Sequence, residues 1–313
     1  MQILLQVILL TIGFVLLMKG ADFFVDGAAG IADRLGIPQL VVGLTIVAMG
    51  TSLPEASVSI VAAIRGSAEI TIGNVVGSNI LNVLIILGLS AAIRSMPVQE
   101  STVRYEIPFT ILVTAVLAGL GLTDNMVGRV DGAVLWALMV VYLVYLLKMA
   151  KKGTNDSENS EKQVRPVWML IVMIILGGAM ILAGSDVTVD AATKLARAFG
   201  MSERFIGLTI VALGTSLPEL VTSVVASRKG NADIAIGNIV GSNIFNILFV
   251  VGTTAVITPV VYSNDFLADS IMAIATMILL LGLVIPKREL NKKGGVTMLL
   301  CYGGYLCYLL SAK

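Results

Sequence analysis

The chain contains no histidine, only two cysteines and eight prolines, and just 13% of its residues are charged. The lack of histidine removes His-based zinc sites, His general bases and Ser-His-Asp catalysis together. Cys301 and Cys307 lie in one apolar stretch, where a disulfide within a single helix is not geometrically sensible, so both read as buried thiols. A soluble domain carries about 25% charged residues, roughly twice the share found here, so this chain cannot cover a water-facing surface. Lys and Arg total 21 against 20 Asp and Glu, which leaves no basic surplus for nucleic acid.

What the chain has in quantity is apolar length. Hydrophobic residues make up 57%, and the mean hydropathy is +0.95. Apolar stretches recur, each long enough to cross ~30 Å of hydrocarbon at 1.5 Å per helical residue. The pattern predicts an all-α, polytopic membrane protein with ten transmembrane helices, near 3–35, 39–64, 70–94, 105–122, 128–148, 167–199, 204–228, 234–258, 266–285 and 296–312. The first apolar stretch has no basic segment before it and no small-residue cleavage site after it, so it reads as a membrane helix and not as a signal peptide. Residues 149–166 are polar and charged and form the one clear linker. Of the 21 Lys and Arg, fourteen fall on the linker side of a ten-helix topology. The positive-inside rule then puts the linker in the cytoplasm and both termini outside a cell membrane.

An internal repeat organises the chain. Shifted by 164 residues, 20–94 aligns without a gap on 184–258, with 38 of 75 positions identical. GLTIVAMGTSLPE at 43–55 faces GLTIVALGTSLPE at 207–219, and IGNVVGSNILN at 72–82 faces IGNIVGSNIFN at 236–246. Asp22 and Asp26 match Asp186 and Asp190 and fall near helix ends, where they read as ordinary surface charges. Each half, 1–148 and 167–313, holds five helices. An odd number forces the second half to insert upside down. Inverted-topology repeats place their substrate site at the midplane between the halves.

The motifs put oxygen chemistry at that depth. In each hairpin the glutamate (Glu55, Glu219) stands twelve residues before the turn, and the serine (Ser78, Ser242) eleven after it. Both positions lie near the middle of a ~30 Å core. Thr51, Thr215, Asn82 and Asn246 come from the same helices, and Asn74, Asn79, Asn238 and Asn243 either join them or bridge helices. Pro54 cannot donate to the carbonyl four residues back, and Gly50 adds backbone freedom, so carbonyls from Ala48 to Thr51 are expected to leave the helical ladder. Gly73, Gly77, Gly237 and Gly241 allow close helix approach. Carboxylate, hydroxyl, amide and carbonyl oxygens without imidazole or thiolate suit hard cations: Na⁺, Ca²⁺, Mg²⁺, K⁺ or H⁺. A carboxylate inside an apolar helix with no Lys or Arg at its depth is a functional site by default.

At these residues the sequence resembles the cation/calcium exchanger superfamily, whose repeats carry Gly-Thr-Ser-Leu-Pro-Glu and Gly-Asn-x-x-Gly-Ser-Asn-x-x-Asn/Asp, and within it the prokaryotic sodium/calcium antiporter branch. The resemblance spans the whole chain. It implies that Glu55 and Glu219 are the central Ca²⁺ and Na⁺ ligands. Thr51 and Thr215 would add hydroxyls and carbonyls, Ala48 and Ala212 carbonyls, Ser78 and Ser242 hydroxyls, and Asn82 an amide, with Ser52 and Ser216 adjoining. Asn246 departs from relatives that carry Asp there, which leaves two carboxylates and counts against K⁺ coupling. Proton-coupled calcium exchangers usually carry Gly-Asn-x-x-Glu around the key glutamate, and the short linker cannot hold the large calcium-sensing loop of animal exchangers. The implied activity is Na⁺/Ca²⁺ antiport by alternating access, with long helices 1 and 6 as the moving gate and helices 2, 3, 7 and 8 as the fixed core. Ca²⁺/H⁺ exchange, another Na⁺-coupled divalent exchange and a cation channel are the alternatives. An enzyme is not expected. Neither is a cofactor, and the only partners expected are the transported ions and the lipid bilayer.

Overall fold

The computed structural model describes residues 2–68, 70–153, 165–200, 212–263 and 265–311. Its helical segments are α1 (Gln2–Leu35), α2 (Gln39–Thr51), α3 (Leu53–Ile64), α4 (Ile70–Ile93), α5 (Thr102–Asp124), α6 (Arg129–Gly153), α7 (Val167–Ala198), α8 (Ala212–Thr215), α9 (Leu217–Lys229), α10 (Ala232–Ile257), α11 (Asp265–Val284) and α12 (Lys292–Ser311). Among the described residues seven helices are long and apolar enough to cross a membrane, and α2 with α3 forms an eighth span bent by 47°. The expected helix at 204–228 is described only from Ala212 onward. The fifth expected helix runs to Gly153, five residues past its expected end, and most of the linker lies outside the described residues.

The chain is not purely helical. Two-residue strands β1 (Met96–Pro97) and β4 (Glu289–Leu290) pair antiparallel, as do β2 (Met126–Val127) and β3 (Val260–Val261). These segments lie outside the spans, and a two-residue pairing is too short for side-chain periodicity to announce it. Each pair joins one half of the chain to the other. Arg94 donating to the Arg228 carbonyl and Gln99 to Asp233 hold the β1–β4 end together. At the opposite end Arg129 reaches the Ile257 carbonyl and Thr258 the Ala63 carbonyl.

Burial separates core from periphery. In α10, 94% of the spanning window is buried, against 17% in α1, so the motif helices are central and the long helices face outward. Large apolar side chains such as Ile8, Phe14, Trp168 and Ile175 are exposed on α1 and α7, as expected where the neighbour is lipid. Cys307 is exposed and Cys301 half-buried, so the expectation of two buried thiols is corrected. They lie on an outer helix whose apolar surroundings are not protein.

Close packing rests on glycine. A Cβ at Gly20 would stand 2.8 Å from the Gly177 carbonyl oxygen, and one at Gly184 would stand 2.9 Å from that of Gly13, so α1 and α7 touch backbone to backbone along their length. In the core, a Cβ at Gly237 would meet the Leu40 carbonyl at 2.9 Å, and one at Gly241 the Ala48 Cβ at 2.8 Å. A Cβ at Gly73 would meet the Phe266 ring at 3.5 Å, an ordinary contact.

Candidate cation site

Glu55 and Glu219 open the helices that follow the two Gly-Thr-Ser breaks. Ser52, between α2 and α3, has φ −83° and ψ 8°, and Ser216 has φ −91° and ψ 6°. Neither conformation continues an α-helix, and Pro54 and Pro218 start the new segments, where a missing N–H costs least. The break turns each serine across to the other half: Ser52 donates to Glu219 Oε1 at 2.9 Å, and Ser216 to Glu55 Oε1 at 3.1 Å. Both glutamates are buried, and the hydroxyls of Thr215 and Thr51 lie against Glu55 and Glu219 respectively.

The amides repeat the exchange. Asn79 donates to the Asn243 carbonyl at 3.1 Å and Asn243 to the Asn79 carbonyl at 3.3 Å. Asn82 donates to Asn243 Oδ1 at 3.0 Å, and Asn246 to Asn79 Oδ1 at 3.2 Å. With their N–H groups so occupied, Asn82 and Asn246 keep their oxygens free. Glu55 Oε2, Glu219 Oε2, Asn82 Oδ1 and Asn246 Oδ1 are all buried and without a hydrogen-bond partner. A buried oxygen left unpaired is costly unless something positive meets it. Asn82 and Asn246 also begin π-helical stretches, Asn82–Leu87 and Asn246–Val251, a widened turn that recurs at functional sites.

Each expected residue can be placed. Thr51 donates to Asn238 Oδ1 at 2.9 Å, and Ser242 lies 3.4 Å from the Ala48 carbonyl. Ser78 is buried on α4, one turn before Asn82. Ala212 is the first described residue of its segment. The Ala48 carbonyl has not left the helical ladder, since the Ser52 N–H donates to it at 3.0 Å. The break falls at Ser52, so of the carbonyls expected to leave the ladder that of Ala48 stays in it. Asn74 and Asn238 act as bridges: each donates to the carbonyl of its glutamate and to Ser59 or Ser223. Those two serines went unnoticed in the sequence, although each stands one helical turn after its glutamate in both copies. Also missed were Glu106, buried on α5 and accepting from Tyr145 on α6, and Asp269, which accepts from Tyr305 at 3.0 Å.

The two halves differ in how the site is covered. A cavity of about 600 Å³ lies between α3 and α7, lined by Pro54, Ser57, Val58, Asp186, Asp190 and Thr215 among others, beside the Gly-Thr-Ser breaks but not lined by either glutamate. On the other half α9 packs on α1, and the position equivalent to Val58, which is 42% exposed, is Thr222 at 0%. Among the described residues no group of three or more acidic or cysteine side chains is placed so as to hold a metal ion.

A family of sodium/calcium exchanger proteins matches residues 5–148 and 169–311, nearly the whole chain. The chain belongs to the sodium/calcium exchanger protein family. Among its relatives, the putative antiporter CaxA of Alkalimonas amylolytica is 41% identical over 99% of this chain and 100% of its own length. The sodium/calcium exchanger MaX1 of Methanosarcina acetivorans is 31% identical over 96% and 97%. The solved structure of the sodium-calcium exchanger NCX_Mj superposes with a TM-score of 0.84 at 32% identity, covering 97% of this chain and 98% of that one. The chain therefore has the exchanger fold and is a polytopic membrane antiporter of this family.

Proposed function

We propose that the protein is a secondary active antiporter that exchanges Na⁺ for Ca²⁺ by alternating access at the Glu55–Glu219 site. One observation carries the reading: two buried carboxylates and two buried amides, drawn in matched pairs from the two halves, each keep one oxygen free. Ca²⁺ takes about six to eight oxygens. The four free ones, with Thr51, Thr215, Ser52, Ser216, Ser78, Ser242 and the Ala48 and Ala212 carbonyls close by in sequence, supply that number. Two carboxylates neutralise one Ca²⁺, and a full Na⁺ load together with Ca²⁺ would overfill the site with positive charge. The two cargoes exclude each other, as antiport requires.

The architecture we infer is ten membrane helices in two inverted five-helix repeats, 1–148 and 167–313, joined by a cytoplasmic linker with both termini outside. The matched hydrogen bonds across the halves and the strand pairs at opposite ends support it. Asn246, neutral and committed as a donor to Asn79, supports transport without K⁺. Three Na⁺ per Ca²⁺ would make exchange electrogenic. The test is radiolabelled Ca²⁺ uptake into proteoliposomes preloaded with Na⁺, with K⁺ or with a proton gradient. Uptake driven by Na⁺ alone is expected. Uptake driven by protons without Na⁺ would replace this reading with Ca²⁺/H⁺ exchange.

A further inference from the structure

Lys229 ends α9 at the tip of the α9–α10 hairpin. Its Nζ lies 2.7 Å from Asp26 Oδ1 and 3.1 Å from Asp22 Oδ1 on α1, and it donates to the Asp22 carbonyl at 3.2 Å. The 164-residue shift that relates the halves maps Lys229 onto Arg65 at the α3–α4 tip, and Asp22 and Asp26 onto Asp186 and Asp190 on α7. The two tips have the same turn, with Gly66 at φ 81° and Gly230 at φ 87°. Yet the second triad is open. Asp190 bonds Lys194 one turn along its own helix at 2.6 Å, and Asp186 and Arg65 have no ion pair among the described residues. Asp186 and Asp190 instead line the 600 Å³ cavity.

We propose that these triads are a pair of alternating latches: Lys229 with Asp22 and Asp26 seals one route to Glu55 and Glu219, and Arg65 with Asp186 and Asp190 seals the other in the opposite state. The idea rests on the alternating-access reading above. The backbone contact of α1 with α7 at Gly13, Gly20, Gly177 and Gly184 ties the two helices into one body. When that body lies close to α9, α7 stands away from α3, so a single rigid pair cannot close both latches. This geometry prevents a leak. The closed triad is only partly exposed (28% for the Lys229 side chain, 44% for Asp26), and such a pair is weak enough to open in each cycle.

Cysteine accessibility tests this. In purified protein carrying Cys301→Ser and Cys307→Ser, Val58→Cys reports the open cavity and Thr222→Cys the sealed one, each by its rate of labelling with a bulky polar maleimide. Val58→Cys should label and Thr222→Cys should be protected. Adding Lys229→Gln should raise the Thr222→Cys rate roughly fivefold, as expected for losing one partly exposed ion-pair cluster, and lower that of Val58→Cys. Asp22→Asn with Asp26→Asn should reproduce this, and Lys229→Asp with Asp26→Lys should restore protection. Undiminished protection of Thr222→Cys in Lys229→Gln and in the double Asn variant, with monodisperse protein, overturns the proposal. So does a rise at Val58→Cys as well, which signals general loosening. Labelling needs no ion flux, and Ca²⁺ uptake by the cysteine-free parent tests the exchange reading separately, so the two can fail independently.

Discussion

Glu55 and Glu219 each accept from a serine of the other half on one oxygen and leave the other without a partner, the oxygen proposed to meet the cation. Replacing either by Gln leaves the shape and removes half the neutralising charge. Glu55→Gln and Glu219→Gln should each lower Na⁺-driven Ca²⁺ uptake by roughly two orders of magnitude, since a buried charge stripped of its partner costs about 3 kcal/mol or more. Monodisperse variant protein with undiminished uptake would place the site elsewhere. Asn246→Asp removes the donor to Asn79 Oδ1 and sets a third carboxylate near the first two. Like charges disfavour joint ionisation, so protons should compete with the cation and uptake should fall more steeply with acid than in the parent. An unchanged pH profile would remove Asn246 from the site. At this scale the sequence already named both glutamates, because a carboxylate in an apolar helix stands out. It left the four asparagines between ligand and bridge, because an amide serves either role and only the partner decides.

Helix elements were legible wherever an apolar run was long, and their interruptions wherever proline followed Gly-Thr-Ser. Less legible was the contact of α1 with α7, since two long apolar helices give no sign of which faces meet. The structure sets it through glycines seven residues apart. Gly177→Val would drive a side chain into the Phe24 backbone nitrogen, 2.6 Å from where even a Cβ would stand. The helices would have to separate, at a cost of about 1–3 kcal/mol for overpacking. The expected result is a lower thermal midpoint in detergent together with slowed exchange, whereas unchanged values for both would mean that α1 and α7 do not pack at this point in the working protein. The linker is an element of the opposite kind. Residues 153–163 carry no apolar anchor and no motif. Exchanging them for a Gly/Ser tether should preserve uptake and its Ca²⁺ dependence, and loss of Ca²⁺ activation would reveal a regulatory role.

For the whole molecule, the reading of three Na⁺ against one Ca²⁺ moves one net charge per cycle. Each charge crossing the membrane is worth about 2.3 kcal/mol per 100 mV. Interior-positive potential, clamped with K⁺ and valinomycin, should therefore speed Ca²⁺ uptake into Na⁺-loaded vesicles, because Na⁺ exit carries the charge out. Flux indifferent to the clamped potential would mean electroneutral exchange. The same cycle needs one entrance shut while the other is open. The packing of α9 on α1 and the cavity between α3 and α7 are the asymmetry that the proposed cycle would use.

The sequence alone determined the membrane class and the duplication and singled out the two glutamates as candidates, because composition, apolar length and a repeat of 38 identities in 75 positions are properties of the chain as written. Only the tertiary structure decided which oxygens stay free and which halves exchange partners. It also decided that Asp22 and Asp26 are paired while Asp186 and Asp190 line a cavity, although their sequence positions are equivalent. A repeat imposes the same local structure twice. It does not impose the same packing twice, since α9 packs on α1 while a cavity separates α3 from α7.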